Sequence, residues 1–158
     1  MKPPARPTLN LKATVAKKPE SSPKTEERVM PSTLDQQRAA YAWECVQNIP
    51  KDYDKLAKAA PALIMNNGLM QTLAFYQNKG KTQEGVMDRY HALNAHLMRW
   101  LGRRFGGGNN FPSEQNASFN TVMPALYGAQ SEVFRRATEE TLALLRWIRQ
   151  FAAAKTGG

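Results

Sequence analysis

The feature that most constrains the fold is an apolar run near the middle of the chain, within Asn67 to Gly80. On a helical wheel this run places apolar side chains on nearly every side: Leu69, Met70, Leu73, Ala74, Phe75 and Tyr76. A helix that is apolar on most sides must be buried, and this one is shorter than the ~20 residues that cross a bilayer. We therefore predict the central helix of a helical bundle, with Asn67 capping its start and Gly80 ending it.

The composition narrows the class of partner. The chain has 158 residues, a length typical of one domain, and a formal net charge of +9. A charge this positive favours a polyanion, which could be nucleic acid or an acidic membrane surface. A single cysteine, Cys45, excludes an internal disulfide and a site with several thiolate ligands. We find no run long enough for a membrane span and no signal peptide, and we predict a cytoplasmic protein without a membrane partner.

The chain divides into two regions of different composition. Residues 1–31 are rich in proline and lysine and have few patterned apolar residues, which predicts a disordered basic tail. Residues 32–158 show helical spacing throughout and no useful β-type alternation, which predicts one compact all-α bundle of about five to six helices.

The helix boundaries follow from capping residues, glycines and prolines. Pro61 falls inside the second helical pattern, where we expect a kink or break near Ala60. Besides the central helix, the predicted helices run from Ser32 to Pro50, from Asp52 to about Met65, from Thr82 to about Arg104, over Ser118 to Leu126, and from Ser131 to Ala153.

Rows of basic side chains are the best functional signal. Such rows are usually solvated faces. Here three predicted helices carry a basic row, and few acidic residues neutralise the rows on the second and fourth of these helices. The sequence has no aromatic RNP motif, GXXG loop or zinc-finger spacing, so binding to a phosphate backbone without base readout is expected. The predicted phosphate contacts are Lys51, Lys55, Lys58, Arg89, Arg99, Arg103, Arg146 and Arg149.

Catalytic and metal sites are poorly supported. His91 and His96 are five residues apart, which is not the i, i+4 spacing of two ligands on one helical face. An acid–base nuclease could use His96 beside Arg99, but we favour a polar surface residue on a basic face. Cys45 lies on an apolar stripe and is interpreted as core packing. We predict no catalytic residue, no metal and no cofactor.

Three long blocks resemble a known family. Residues Asp35 to Val46 read DQQRAAYAWECV, Lys55 to Lys81 read KLAKAAPALIMNNGLMQTLAFYQNKGK, and Glu132 to Ala152 read EVFRRATEETLALLRWIRQFA. In this order and at these separations they resemble the small helical subunit of the type III-B CRISPR effector, the Cmr complex. The resemblance covers most of residues 33–153.

The resemblance implies a non-catalytic subunit of a ribonucleoprotein. Several copies would stack as an inner filament against backbone subunits that carry the guide RNA, and would help to form the groove for guide and target RNA. RNA cleavage would belong to a backbone subunit and cyclic-oligonucleotide synthesis to the large subunit. The implied partners are guide RNA, target RNA, the backbone, large and other subunits, and further copies of the chain.

Two other functions stay open on the sequence. The basic faces could dock acidic subunits, which would make the chain a protein-only adaptor within a larger assembly. An RNA-cleaving enzyme would need nuclease activity that depends on a metal or on His96. The tail of residues 1–31 is longer than the family requires, and the loop of residues 106–117 carries no family signature.

Overall fold

The fold is all-helical apart from one small hairpin, which confirms the predicted class. The computed structural model describes residues 32–108 and 110–157, so the tail predicted to be disordered, residues 1–31, lies outside the described residues. The elements in chain order are α1 Leu34–Cys45, α2 Tyr53–Asn67, α3 Leu69–Lys79, β1 Thr82–Gln83, β2 Val86–Met87, α4 Arg89–Phe105, α5 Phe119–Tyr127 and α6 Ser131–Thr156.

Helix α6 is the longest helix of the described residues and supplies a large part of the core. It is 26 residues long and lies against α1, α2 and α4. Ala137, Leu144, Leu145 and Ile148 recur at helical spacing, and each is fully buried. The prediction of this helix is confirmed, and its end extends to Thr156, beyond the expected Ala153. Full burial of this stripe makes α6 a core helix of the bundle.

The prediction that Asn67 to Gly80 forms the central helix is wrong. Helix α3 buries only one side, through Leu69, Thr72, Leu73 and Tyr76, and packs on α2, α4 and α5. Phe75 is 46% exposed and lays its ring edge-on against Tyr90. The aromatic pair keeps this apolar residue at the surface, which a helical wheel cannot anticipate.

The predicted cap of α3 is also wrong, because Asn67 is the last residue of α2. Gly68 separates the two helices with a φ of 91°, a conformation that glycine adopts without steric cost. Its amide donates to the carbonyl of Ile64, so the turn closes α2 before α3 begins.

A β-hairpin replaces the predicted start of the fourth helix at Thr82. Thr82 pairs with Met87, and Glu84 and Gly85 form the turn with positive φ values of 53° and 80°. Strands of two residues are too short to show alternation in a sequence, but this turn geometry is the one that two-residue hairpins favour. Met87 lies in β2 and is 44% exposed, outside the core.

Helix α4 begins with an aspartate cap. The Asp88 carboxylate accepts from the amide of His91 at 3.0 Å and from the amide of Lys81 at 2.9 Å. One side chain therefore caps α4 and closes the base of the hairpin. Asn94, Leu97 and Leu101 recur at helical spacing and are buried, so this side of α4 faces the core.

Proline does not break α2. The helix is continuous over Tyr53–Asn67 with Pro61 inside it, so the break expected near Ala60 does not occur. Asp52 stands at the cap position, but its side chain makes no capping hydrogen bond. Within the described residues, no helix is both long and apolar enough to cross a membrane.

Candidate nucleic-acid interface

Arg99 and Arg103 lie together on the exposed side of α4, where α4 meets α1. Their guanidinium carbons stand 5.9 Å and 4.8 Å from the centre of the Tyr41 ring. Tyr41 is buried, and its hydroxyl donates to the carbonyl of His96 at 2.6 Å. Burial and this hydrogen bond fix the Tyr41 ring, and the fixed ring positions both guanidiniums at one place on the surface.

The two arginines differ in how they are neutralised. Arg103 donates two hydrogen bonds to Glu114, at 3.0 Å and 2.8 Å, and this bidentate pair lowers the pKa of Glu114. Arg99 is exposed, and no carboxylate of residues 32–108 or 110–157 lies within 4.0 Å of it. Arg99 is therefore the cation of this pair that can bind an outside anion at full charge.

A cleft of about 520 Å³ borders Arg99. One wall is the link between α1 and α2, which includes Ile49 and Pro50, and the other is the hairpin, which presents Val86. Ala95 of α4 lies along its floor. The cleft is largely apolar, so Arg99 is the charged group at its edge.

His96 is not the surface residue that the sequence suggested. Its Nδ1 lies 2.7 Å from the Tyr53 hydroxyl, and the two rings pack edge to face. Burial, followed by the positive charge of Arg99, lowers the pKa of His96 to about 4. At neutral pH the ring is uncharged and bonded to a core tyrosine, so it adds nothing to a cationic face.

Arg146 and Arg149 are brought together on α6. They line a shallow cleft of about 290 Å³ with Asp35 and Trp147. The Trp147 Nε1 donates to Asp35 at 3.0 Å; this bond, with the charges of Arg38 and Arg146, lowers the pKa of Asp35. In the described part of the chain neither Arg146 nor Arg149 forms an ion pair.

The other predicted contacts lie apart from these two groups. Arg89 stacks on Tyr90 at 4.7 Å, at the start of α4 and about 15 Å along the helix from Arg99. Lys55 forms an exposed ion pair with Asp52 at 3.4 Å. Lys51 and Lys58 are exposed at the start and middle of the α2 region, with no carboxylate partner among the described residues.

Three further arginines escaped the sequence reasoning. Arg38 of α1, Arg104 of α4 and Arg136 of α6 line one cleft with Arg146. Glu140 of α6 accepts two hydrogen bonds from Arg38, at 2.7 Å and 3.0 Å. Arg38 and Glu140 are 102 residues apart, so no local spacing could reveal the pair.

Glu140 is the buried anion of this region, with 7% of its side chain exposed. It also accepts from the indole Nε1 of Trp100 at 3.0 Å, and Arg104 approaches to 3.8 Å. Burial raises its pKa, but the hydrogen bonds from Arg38 and Trp100 outweigh burial and hold the pKa below its usual value. Glu140 is therefore ionised at neutral pH and ties α1, α4 and α6 together.

The described residues offer little catalytic chemistry. Among them, no three histidine, cysteine or acidic side chains come close enough to hold a metal ion. Cys45 is buried as predicted, and burial raises the pKa of its thiol to about 12. The thiol is protonated at neutral pH, which does not suit a nucleophile.

The chain matches the model of a known protein family. A family model described as CRISPR-associated protein (Cas_Cmr5) matches residues 34–155. The matched region begins at the first residue of α1 and ends in the last turn of α6, so it spans every helix described above.

Proposed function

The chain belongs to the CRISPR-associated Cas_Cmr5 family and is a small structural subunit of the Cmr complex; from this premise we propose that it holds guide and target RNA by their phosphates. In this role it has no active site of its own. It supplies a cationic surface, while pairing between guide and target provides the sequence recognition.

The exposed, unneutralised Arg99 beside Arg103 and Tyr41 is the observation that carries this proposal. The Tyr41 ring fixes the position of the cation, and the Glu114 bond fixes its neighbour, so little side-chain freedom is lost when a phosphate binds. A guanidinium presents a planar fork of donors that matches two phosphate oxygens. Arg146 and Arg149 offer a second such position on α6.

Stacking of copies along a filament is the second part of the proposal. Several large apolar side chains of the described residues are exposed, among them Met65 at 74%, Val86 at 71% and Tyr127 at 70%. We infer that they contact backbone subunits or further copies of the chain, since burial of an exposed apolar side chain by a partner is favourable.

The proposal is tested by removing one charge in the reconstituted complex. Arg99→Gln should weaken retention of guide–target RNA and lower the salt slope of binding by about 0.7–0.9, the values for one phosphate of a single strand and of a duplex. The loss should be equal for two unrelated guide sequences. Arg103 is left intact because its removal would release Glu114.

Arg135→Gln is the matched control. It removes the same charge from an arginine that is neutralised by Glu132 and Glu139. If Arg99→Gln and Arg135→Gln retain RNA equally, Arg99 does not contact phosphate. If RNA retention is unchanged but the subunit dissociates from the complex, the cation docks an acidic protein surface and the chain is an adaptor.

A further inference from the structure

Four arginines converge in a cleft of about 390 Å³ between α1, α4 and α6. Arg38, Arg104, Arg136 and Arg146 line it, and the acidic side chains on its walls are Glu139 and Glu140. We call this feature the arginine cleft. It lies beside the predicted contact Arg146 but is otherwise built from residues that the proposed interface does not use.

The two carboxylates of the arginine cleft are already committed to other partners. Both oxygens of Glu140 accept hydrogen bonds, from Arg38 and from Trp100. Glu139 accepts from Arg135 at 2.8 Å, on the outer side of α6. Glu140 and Asp35 both pair with Arg38, whereas among the described residues no carboxylate lies closer than 3.8 Å to the charged nitrogens of the other three arginines.

Arg104 has unused donors. Its one ion-pair contact, to Glu140 at 3.8 Å, is too long for a hydrogen bond, and its buried Nε has no partner among the described residues. Buried donors are nearly always paired in folded proteins. The side chain is 30% exposed and lines the cleft, so a bound anion can contact it there.

Arg136 and Arg146 extend the same surface. The Arg136 guanidinium packs over the Phe105 ring at 5.4 Å, which positions it without neutralising it. Arg146 lines both the arginine cleft and the cleft beside Trp147 and Arg149. Free guanidiniums therefore continue from Arg104 to Arg149, a shape that suits an extended chain of anions better than one small ligand.

We propose that the arginine cleft binds consecutive phosphodiester groups of an RNA strand, through Arg104, Arg136 and Arg146. This inference rests on the proposed function and adds a binding site to it, on the side of α4 and α6 that faces α1. A phosphodiester presents oxygens in several directions, so it can accept from guanidiniums that approach from two different helices. Arg38 is a positioning residue, because it holds Glu140 and leaves Arg104 free.

Fluorescence anisotropy on the full chain tests the site, with a labelled oligouridylate of roughly 15 nucleotides as the probe. The double variant Arg136→Gln/Arg146→Gln should weaken binding roughly tenfold at low salt and lower the salt slope by about 1.4, the value for two phosphates. Arg135→Gln, one position from Arg136 but outside the cleft, should change binding less than about twofold. Both altered arginines of the double variant are exposed, and circular dichroism confirms that the variants fold.

Three results would overturn the site. The double variant could bind as tightly as Arg135→Gln, the full chain could fail to bind the oligouridylate, or polyglutamate of equal length could bind equally well and compete for the cleft. The last result would identify an acidic protein as the occupant. These failures are distinguishable from failure of the proposed function, which is judged by RNA retention and by the Arg99 variant in the assembled complex.

Discussion

Replacement of Glu140 by glutamine tests how the bundle is joined. The carboxylate accepts from Arg38 of α1 and Trp100 of α4, and stands 3.8 Å from Arg104. Glutamine has nearly the same shape but carries no charge and has only one acceptor oxygen. The variant therefore keeps the packing and removes the anion that three side chains share.

The expected loss of unfolding free energy is about 3 kcal/mol. Removing one partner of a buried ion pair costs roughly 3–5 kcal/mol, because the other charge stays buried and unpaired. We take the lower end because the side chains of Arg38 and Arg104 are 17% and 30% exposed, so water can reach them. For a domain of this size, such a loss lowers Tm by roughly 10 °C.

Urea unfolding, followed by circular dichroism and by tryptophan fluorescence, measures the difference. The pKa of Glu140 is below its usual value in the folded chain, so its contribution is fully present above the unfolded pKa and is lost as pH falls through the folded pKa. The gap between wild type and Glu140→Gln should be constant from pH 7 to pH 5 and should shrink below about pH 4.

Glu139→Gln provides the control for this prediction. Glu139 is the adjacent residue of α6 and forms only an exposed pair with Arg135, so its loss should cost less than about 0.5 kcal/mol. If Glu140→Gln is no less stable than Glu139→Gln, the Glu140 network does not join the helices and our reading of it is wrong.

Two further predictions concern histidines. Between about pH 6 and pH 5 the wild-type unfolding free energy should fall by up to ~1.4 kcal/mol per pH unit, because burial holds the pKa of His96 at about 4 and only the unfolded chain takes up the proton. His96→Asn keeps a hydrogen-bond partner for Tyr53 and should flatten this pH dependence, measured by urea unfolding. An unchanged slope in the variant would exclude His96 as its source. A Cβ at Gly80 would overlap the His91 ring, so Gly80→Ala should lower the unfolding free energy by about 2 kcal/mol, measured by thermal unfolding. Gly108→Ala is the control, because a Cβ there meets open space and should change stability little. Equal melting temperatures of the two variants would show that the His91 ring moves aside without cost.

Much of the bundle could be predicted because apolar spacing along a helix reports which side is buried. Leu144 and Ile148 of α6 stand at i, i+4 in the sequence, and both are buried in the structure. The burial of Cys45 followed from its place on such a stripe. The prediction that α3 is buried on most sides failed because Phe75 is apolar but packs at the surface against Tyr90.

The rest depended on contacts between distant parts of the chain. The hairpin has strands of two residues, which leave no periodic signal. Arg38 and Glu140 lie 102 residues apart in the sequence, so no local spacing predicts their ion pair or the arginine cleft beside it. His96 lay on the basic side of a helical wheel, but only the structure places Tyr53 against it. Helical spacing shows which residues share one face of a helix. Whether that face is buried or exposed to solvent depends on the elements that pack against it.

Hydroxyl-radical footprinting of guide and target RNA, in complexes assembled with and without this subunit, tests the central claim most directly. If the subunit holds RNA by its phosphates, its presence should protect consecutive riboses at positions set by its place in the complex, regardless of sequence. The protection should weaken at the same positions with Arg99→Gln and persist with Arg135→Gln. Identical cleavage patterns with and without the subunit would contradict the claim and would leave the chain a protein-only adaptor.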